Sequence, residues 1–188
     1  MRLQLQKHEK ELPDLSFFPE PVWIKEGGDN PIKFGQKNKA RIANYIDIAD
    51  LSLLSFSQAK NGLQKALDSE DPWARYWGYI VCSSFGQKAK EFYEKAREAA
   101  AGDKENLVRT RAAEFLGLCK VDDPRPFIIA ALRKSNDPIE AGLILNTVIL
   151  LEDGHAGYKF DLSSLFKEKK WKAGGSPLQR RVEYLLQK

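Results

Sequence analysis

The side chains best suited to chemistry are few in this 188-residue chain, and their spacing is informative. There are two cysteines, Cys82 and Cys119, and two histidines, His8 and His155. A zinc site needs four ligands, commonly brought together by C-x-x-C pairs and nearby histidines. Here the thiols stand far apart and neither has a histidine near it in sequence. Two free, buried thiols behaving as small hydrophobes are expected. A Ser–His or Cys–His nucleophile has few ways to form when the histidines lie at opposite ends of the chain. Gly27-Gly28 and Gly174-Gly175 lack the GxGxxG and GxxxxGK spacings that cradle phosphates. The pairs Asp122-Asp123 and Glu152-Asp153 fall at predicted helix ends, where capping or solvation accounts for them. The residues therefore predict no catalytic group, no cofactor and no metal ligand.

Six other side chains form a candidate interaction surface: Trp73, Tyr76, Trp77, Tyr79, Arg75 and Arg109. The four aromatics are too widely spread to share one helix stripe. Trp77 and Ile80 lie beside the expected core face, whereas their repeat counterparts, Arg111 and Glu114, are polar. The first copy should thus bury something that the second does not. The expected cover is the segment containing Phe17, Phe18, Val22 and Trp23, with a protein partner as the alternative. Arg75 and Arg109 share one repeat position, four residues after an acidic residue. A surface ladder with neighbouring acidic side chains is expected of them, and ligand binding is the alternative.

Three segments position these groups. They begin at Asp71, Glu105 and Asp137, 34 and 32 residues apart, the period of a helix-pair solenoid. Each starts with an acidic residue suited to an N-cap, and Pro72 and Pro138 follow in two of them. One apolar stripe then recurs at helical spacing: Ala74, Gly78, Val81, Cys82 and Phe85, then Val108, Ala112, Phe115, Leu116 and Cys119. The third copy, Glu140, Ile144, Thr147, Val148 and Leu151, is more polar, as a solenoid end should be. Partner helices are predicted at 57–67, 88–101 and 124–133. The fold class is all-α: an α-solenoid of about three HEAT-like helix pairs over 36–188.

The flanks read differently. Residues 1–35 form an expected extended segment rich in Pro, Gly and aromatics that packs on the repeats. Helical spacing returns through Ile42, Tyr45, Ile46 and Ala49. A short helix is expected within 160–166. Pro177 opens a last helix with Val182, Leu185 and Leu186 inward.

Composition sets the class boundaries. The chain is 43% hydrophobic with a net charge of only +4, which argues against disorder. No apolar run approaches the ~20 residues of a membrane span, and residues 1–12 are too polar for a secretion signal. Basic residues are spread evenly apart from the run Lys167-Glu168-Lys169-Lys170-Trp171-Lys172, which reads as a solvated stretch. That distribution argues against a nucleic-acid face, which concentrates its cations.

Several stretches carry a resemblance. Asp71-Pro72-Trp73-Ala74-Arg75-Tyr76-Trp77-Gly78 resembles the DPxxRYWG stretch in the C-terminal region of many bacterial sulfatases, of the N-sulphoglucosamine sulphohydrolase and arylsulfatase-like kind. Leu12-Pro13-Asp14-Leu15-Ser16-Phe17-Phe18-Pro19-Glu20 is similar to the aromatic–Pro–Glu segment leading into that region. Val108 to Leu116 resembles the family's VRxxAAExL repeat. Sulfatases use a C/S-x-P-x-R nucleophile motif beside a calcium ion. Here Cys82 precedes Ser83-Ser84-Phe85 and Cys119 precedes Lys120-Val121-Asp122, so neither fits. The resemblance implies a non-catalytic interaction domain whose partner is a sulfatase catalytic domain or a second copy, periplasmic or extracellular if the parent enzyme is exported. The alternatives are a HEAT-like DNA glycosylase, with Trp73, Trp77, Asp71 and Arg75 at the lesion, and a stand-alone protein scaffold.

Overall fold

A computed structural model describes residues 2–154, 156–168 and 177–187. Among them every regular element is helical. The chain forms two compact units, Met1–Phe85 and Gly86–Lys188.

The first unit contains α1 (Arg2–Glu11), α2 (Glu20–Gly27), α3 (Pro31–Lys37), α4 (Lys39–Asp50), α5 (Phe56–Leu67) and α6 (Pro72–Phe85). A central helix, α4, touches α1, α3, α5 and α6. It buries Ile42, Tyr45, Ile46 and Ile48, and removing each aliphatic side chain from water contributes roughly 1.5–3 kcal/mol. α5 starts on a capping box in which Ser55 and Gln58 satisfy each other's orphan N–H groups. It packs closely on α6 because Gly78 has no side chain: a Cβ there would lie 2.9 Å from Leu67 Cδ2 and 3.4 Å from Ala66 Cβ.

The expected extended segment over 1–35 is corrected. Its prolines start helices instead of preventing them, since proline costs no hydrogen bond in the first turn. Pro21 and Pro31 occupy that position in α2 and α3, and Asn30 Oδ1 caps α3 by accepting from Lys33 N–H. Only a 3₁₀ turn, Leu15–Phe17, separates α1 from α2. The boundary at residue 35 gives way to one at Phe85, because α3 and α4 pack within the first unit.

The second unit contains α7 (Tyr93–Gly102), α8 (Asn106–Leu118), α9 (Arg125–Lys134), α10 (Pro138–Asp153), α11 (Ser163–Glu168) and α12 (Pro177–Leu186). A 3₁₀ stretch, Gly86–Phe92, precedes α7 where the periodicity predicts one long helix. α8 touches α7, α9 and α10, so two helix pairs share one core. Phe92, Phe115, Leu116, Ile128, Leu132 and Ile144 are fully buried there. At Gly117 the α8–α9 approach is closest, because an added Cβ would sit 2.7 Å from the Pro124 ring. α8 ends with Lys120 in the left-handed region (φ +57°), and Val121 N–H closes the turn on Leu116 C=O.

α10 is no polar cap. Its partner α12 covers it, anchored by buried Leu178, whereas Leu186 is exposed, against the expected inward face. The expected short helix over 160–166 begins later, at Ser163. His155, Lys169 to Lys172 of the basic run, and Gly174-Gly175-Ser176 lie outside the described residues.

Candidate functional site

The repeat arithmetic places α6, α8 and α10 correctly, and most of each predicted stripe is buried within its own unit, Phe85 and Glu140 being half-buried. Ala74, Val81, Cys82, Val108, Ala112, Phe115, Leu116, Ile144, Val148 and Leu151 are each at most 2% exposed. Capping is less uniform. Asp71 Oδ1 accepts from Trp73 N–H at 3.0 Å, and Asp137 Oδ1 accepts from Ile139 and Glu140 N–H at 2.7 and 3.2 Å. Glu105 makes no side-chain cap; Asp103 instead accepts from Glu105 N–H at 3.0 Å.

Asp71 is the hub of the first unit's polar chemistry. Arg41 on α4 grips it with both arms, Nε to Oδ2 at 3.2 Å and a terminal nitrogen to Oδ1 at 3.1 Å. The Tyr45 hydroxyl donates to Oδ2 at 2.6 Å, and Asp71 N–H is held by Ser69 Oγ at 3.1 Å. The Arg41 guanidinium also lies 5.0 Å from the centre of the Phe18 ring, a cation–π contact. Burial pushes the Asp71 carboxyl up, but hydrogen bonds from Arg41, Tyr45 and Trp73 N–H outweigh it and hold it below the usual carboxylate range. Burial and the bond to Asp71 push the Tyr45 hydroxyl far above the usual phenol range. A carboxylate held ionised and a phenol held neutral make a lock, since neither group is poised to exchange a proton near neutral pH.

The aromatic cluster is no open surface, which corrects the expected interaction site. Trp73 is 7% exposed, Tyr76 8% and Tyr79 1%. Trp77 is half-buried; its indole N–H donates to Phe17 C=O at 2.8 Å, and its ring lies 5.2 Å from that of Phe17. Of the expected cover, Phe17 is the residue that meets Trp77. Phe18 serves another site, packing edge-on against Phe34 and Tyr45. Of the four residues placed at the lesion in the glycosylase alternative, Asp71 is bonded to Arg41 and Trp73 is buried.

Arg75 and Arg109 do share a role, though its acceptor is backbone. Each reaches six residues back along the chain, Arg75 to Ser69 C=O at 2.8 Å and Arg109 to Asp103 C=O. The two arginines pin the loops that precede α6 and α8. Periodicity could align these positions but could not show where a long, flexible side chain ends.

Glu114 and Thr147 were the missed pair. The sequence reads Glu114 as polar beside the core face and Thr147 as a polar member of the third stripe; Glu114 is 4% and Thr147 1% exposed. The Thr147 hydroxyl donates to Glu114 Oε2 at 2.6 Å, and Arg111 pairs with the same oxygen at 2.6 Å. Nearby, burial pushes the Tyr93 hydroxyl to about 12, with Cys119 adding to the effect. Both cysteines are buried thiols outside any disulfide.

Among the described residues no cluster of three His, Cys, Asp or Glu side chains is placed to hold a metal ion. No helix among them is long and apolar enough to cross a membrane. Against known proteins, the chain matches no family model, no curated relative and no solved structure.

Proposed function

We propose that this chain is a non-catalytic helical-repeat interaction domain, HEAT-like in its pairing of helices, that packs on a sulfatase catalytic domain or mediates its assembly. The observation that supports this most is the fate of the sulfatase-like stretch Asp71–Gly78. Its chemically capable side chains are engaged by the fold: Asp71 by Arg41 and Tyr45, Arg75 by loop carbonyls, Trp77 by Phe17. Gly78 is spent on the approach of α5. A motif used in this way organises a scaffold.

The second unit also offers a contact row. Leu118 and Leu150 occupy the same position in successive copies and remain 37% and 44% exposed. Exposed apolar residues at equivalent positions of packed helices suit a protein partner. The reading is tested on 4-nitrophenyl sulfate and in the gene. The chain alone should give no hydrolysis above background, and a C-x-P-x-R segment should lie in frame upstream or in an adjacent gene. Turnover by the purified chain would remove the non-catalytic assignment.

A further inference from the structure

In the first unit α3 and the start of α4 form one wall of an open groove of about 410 Å³. Cations on this wall recur every fourth residue: Lys33 and Lys37 on α3, then Arg41 on α4. Glu26 from α2 and Asn30 from the α2–α3 loop also line the groove. Lys33 and Lys37 are exposed, and neither forms an ion pair with Glu26 or with any other described residue. Lys33 and Lys37, like charges four residues apart on α3, repel each other, a cost that a bound anion would relieve.

Donors in the groove outnumber acceptors. Asn30 uses its side-chain oxygen to cap α3, which leaves its amide N–H₂ for a ligand. Asn38 spends its oxygen on Arg41 and its amide on Phe34 C=O. Arg41 is fixed by Asp71 and Asn38 through three of its five N–H groups, so two remain, on a side chain that is already oriented. A planar guanidinium held in place and two mobile ammonium groups together suit a tetrahedral oxyanion. Glu26 is the one acidic side chain in the lining, and Asp71 behind Arg41 already offsets that residue's charge, so Lys33 and Lys37 carry the uncompensated positive charge.

We infer that this groove binds a tetrahedral oxyanion, phosphate or sulfate, with Lys33, Lys37 and Arg41 as its cationic ligands. The site is independent of the interaction role proposed above, since no part of it belongs to the exposed leucine row. The full chain is titrated with inorganic phosphate, inorganic sulfate and glucose 6-phosphate at constant ionic strength, with sodium chloride as the blank and backbone amide NMR shifts as the readout. Saturable shifts confined to residues 26–41 are expected, with a dissociation constant of about 10 mM or tighter. Lys33→Gln/Lys37→Gln should weaken binding at least about tenfold, with an unchanged circular dichroism spectrum. Lys39→Gln, outside the groove, should bind as the parent does. Tighter binding of the sugar ester than of inorganic phosphate assigns the site to esterified ligands; equal binding assigns it to the free ion. Shifts that do not saturate, or that match the chloride blank, overturn the inference. Equal weakening by Lys39→Gln overturns it as well, by reducing the effect to diffuse charge.

Discussion

Replacing Asp71 should cost the first unit more than any other single polar substitution there. Asp71→Ala removes the acceptor of the Tyr45 hydroxyl, whose residue is fully buried, and also removes the α6 cap. An unsatisfied buried donor costs about 1–3 kcal/mol, and loss of a helix cap costs about 1 kcal/mol. The Arg41 pair adds little, because the Arg41 side chain is 41% exposed and solvent screens it. The sum is about 2–4 kcal/mol for Asp71→Ala, and about 1 kcal/mol for Asp71→Asn, which keeps an acceptor. Urea unfolding followed by tryptophan fluorescence suits the test, since Trp23, Trp73 and Trp77 belong to this unit. Acid provides a second check. The Asp71 carboxyl sits below its ordinary value of 3.8, so its stabilisation is complete above that pH and is lost as pH falls through the lower folded value. The gap between parent and Asp71→Asn should therefore narrow as pH falls past 3.8 and close only beneath the lower folded value. A loss under about 0.5 kcal/mol for Asp71→Ala, or a gap that persists in acid, would refute the hub.

Other outcomes follow from both units. Gly117→Ala should destabilise by about 1–3 kcal/mol in urea despite its better helix propensity, because the facing Pro124 ring cannot rotate away. Glu114→Ala should cost about 1–3 kcal/mol by leaving the buried Thr147 hydroxyl without its acceptor, while an apolar triple, Arg111→Met/Glu114→Leu/Thr147→Val, should come out near neutral. Phenolate absorbance should show Tyr45 and Tyr93 ionising late. Their raised values mean that stability is whole below pH 10 and declines as pH rises beyond it, with Tyr93 near 12. Ordinary titration of both tyrosines near pH 10 would contradict their burial.

What was legible in the sequence is what recurs. Asp71, Glu105 and Asp137 marked three helix starts, and the stripes that follow them form the buried faces of α6, α8 and α10. Helix α1 escaped notice because its charged surface offers no apolar period; it is tied down instead by Gln6 and Lys10 on Asp47 and Asp50 of α4. Helices α2 and α3 were hidden by Pro21 and Pro31, whose meaning depends on whether proline falls inside a helix or at its first turn. The hub was out of reach for a different reason: Arg41 and Tyr45 lie 30 and 26 residues before Asp71, and only the fold brings them together. Glu114 shows the limit of hydropathy: polarity beside the core face gives no sign of burial, yet the Thr147 hydroxyl satisfies the carboxylate inside the fold.

Calorimetric titration of the whole chain with a sulfatase catalytic domain encoded in frame with it or in an adjacent gene tests the interaction role most directly. Saturable binding with a negative heat-capacity change is predicted, weakened at least about tenfold by Leu118→Asp/Leu150→Asp. Heats no greater than dilution across the titration would contradict it.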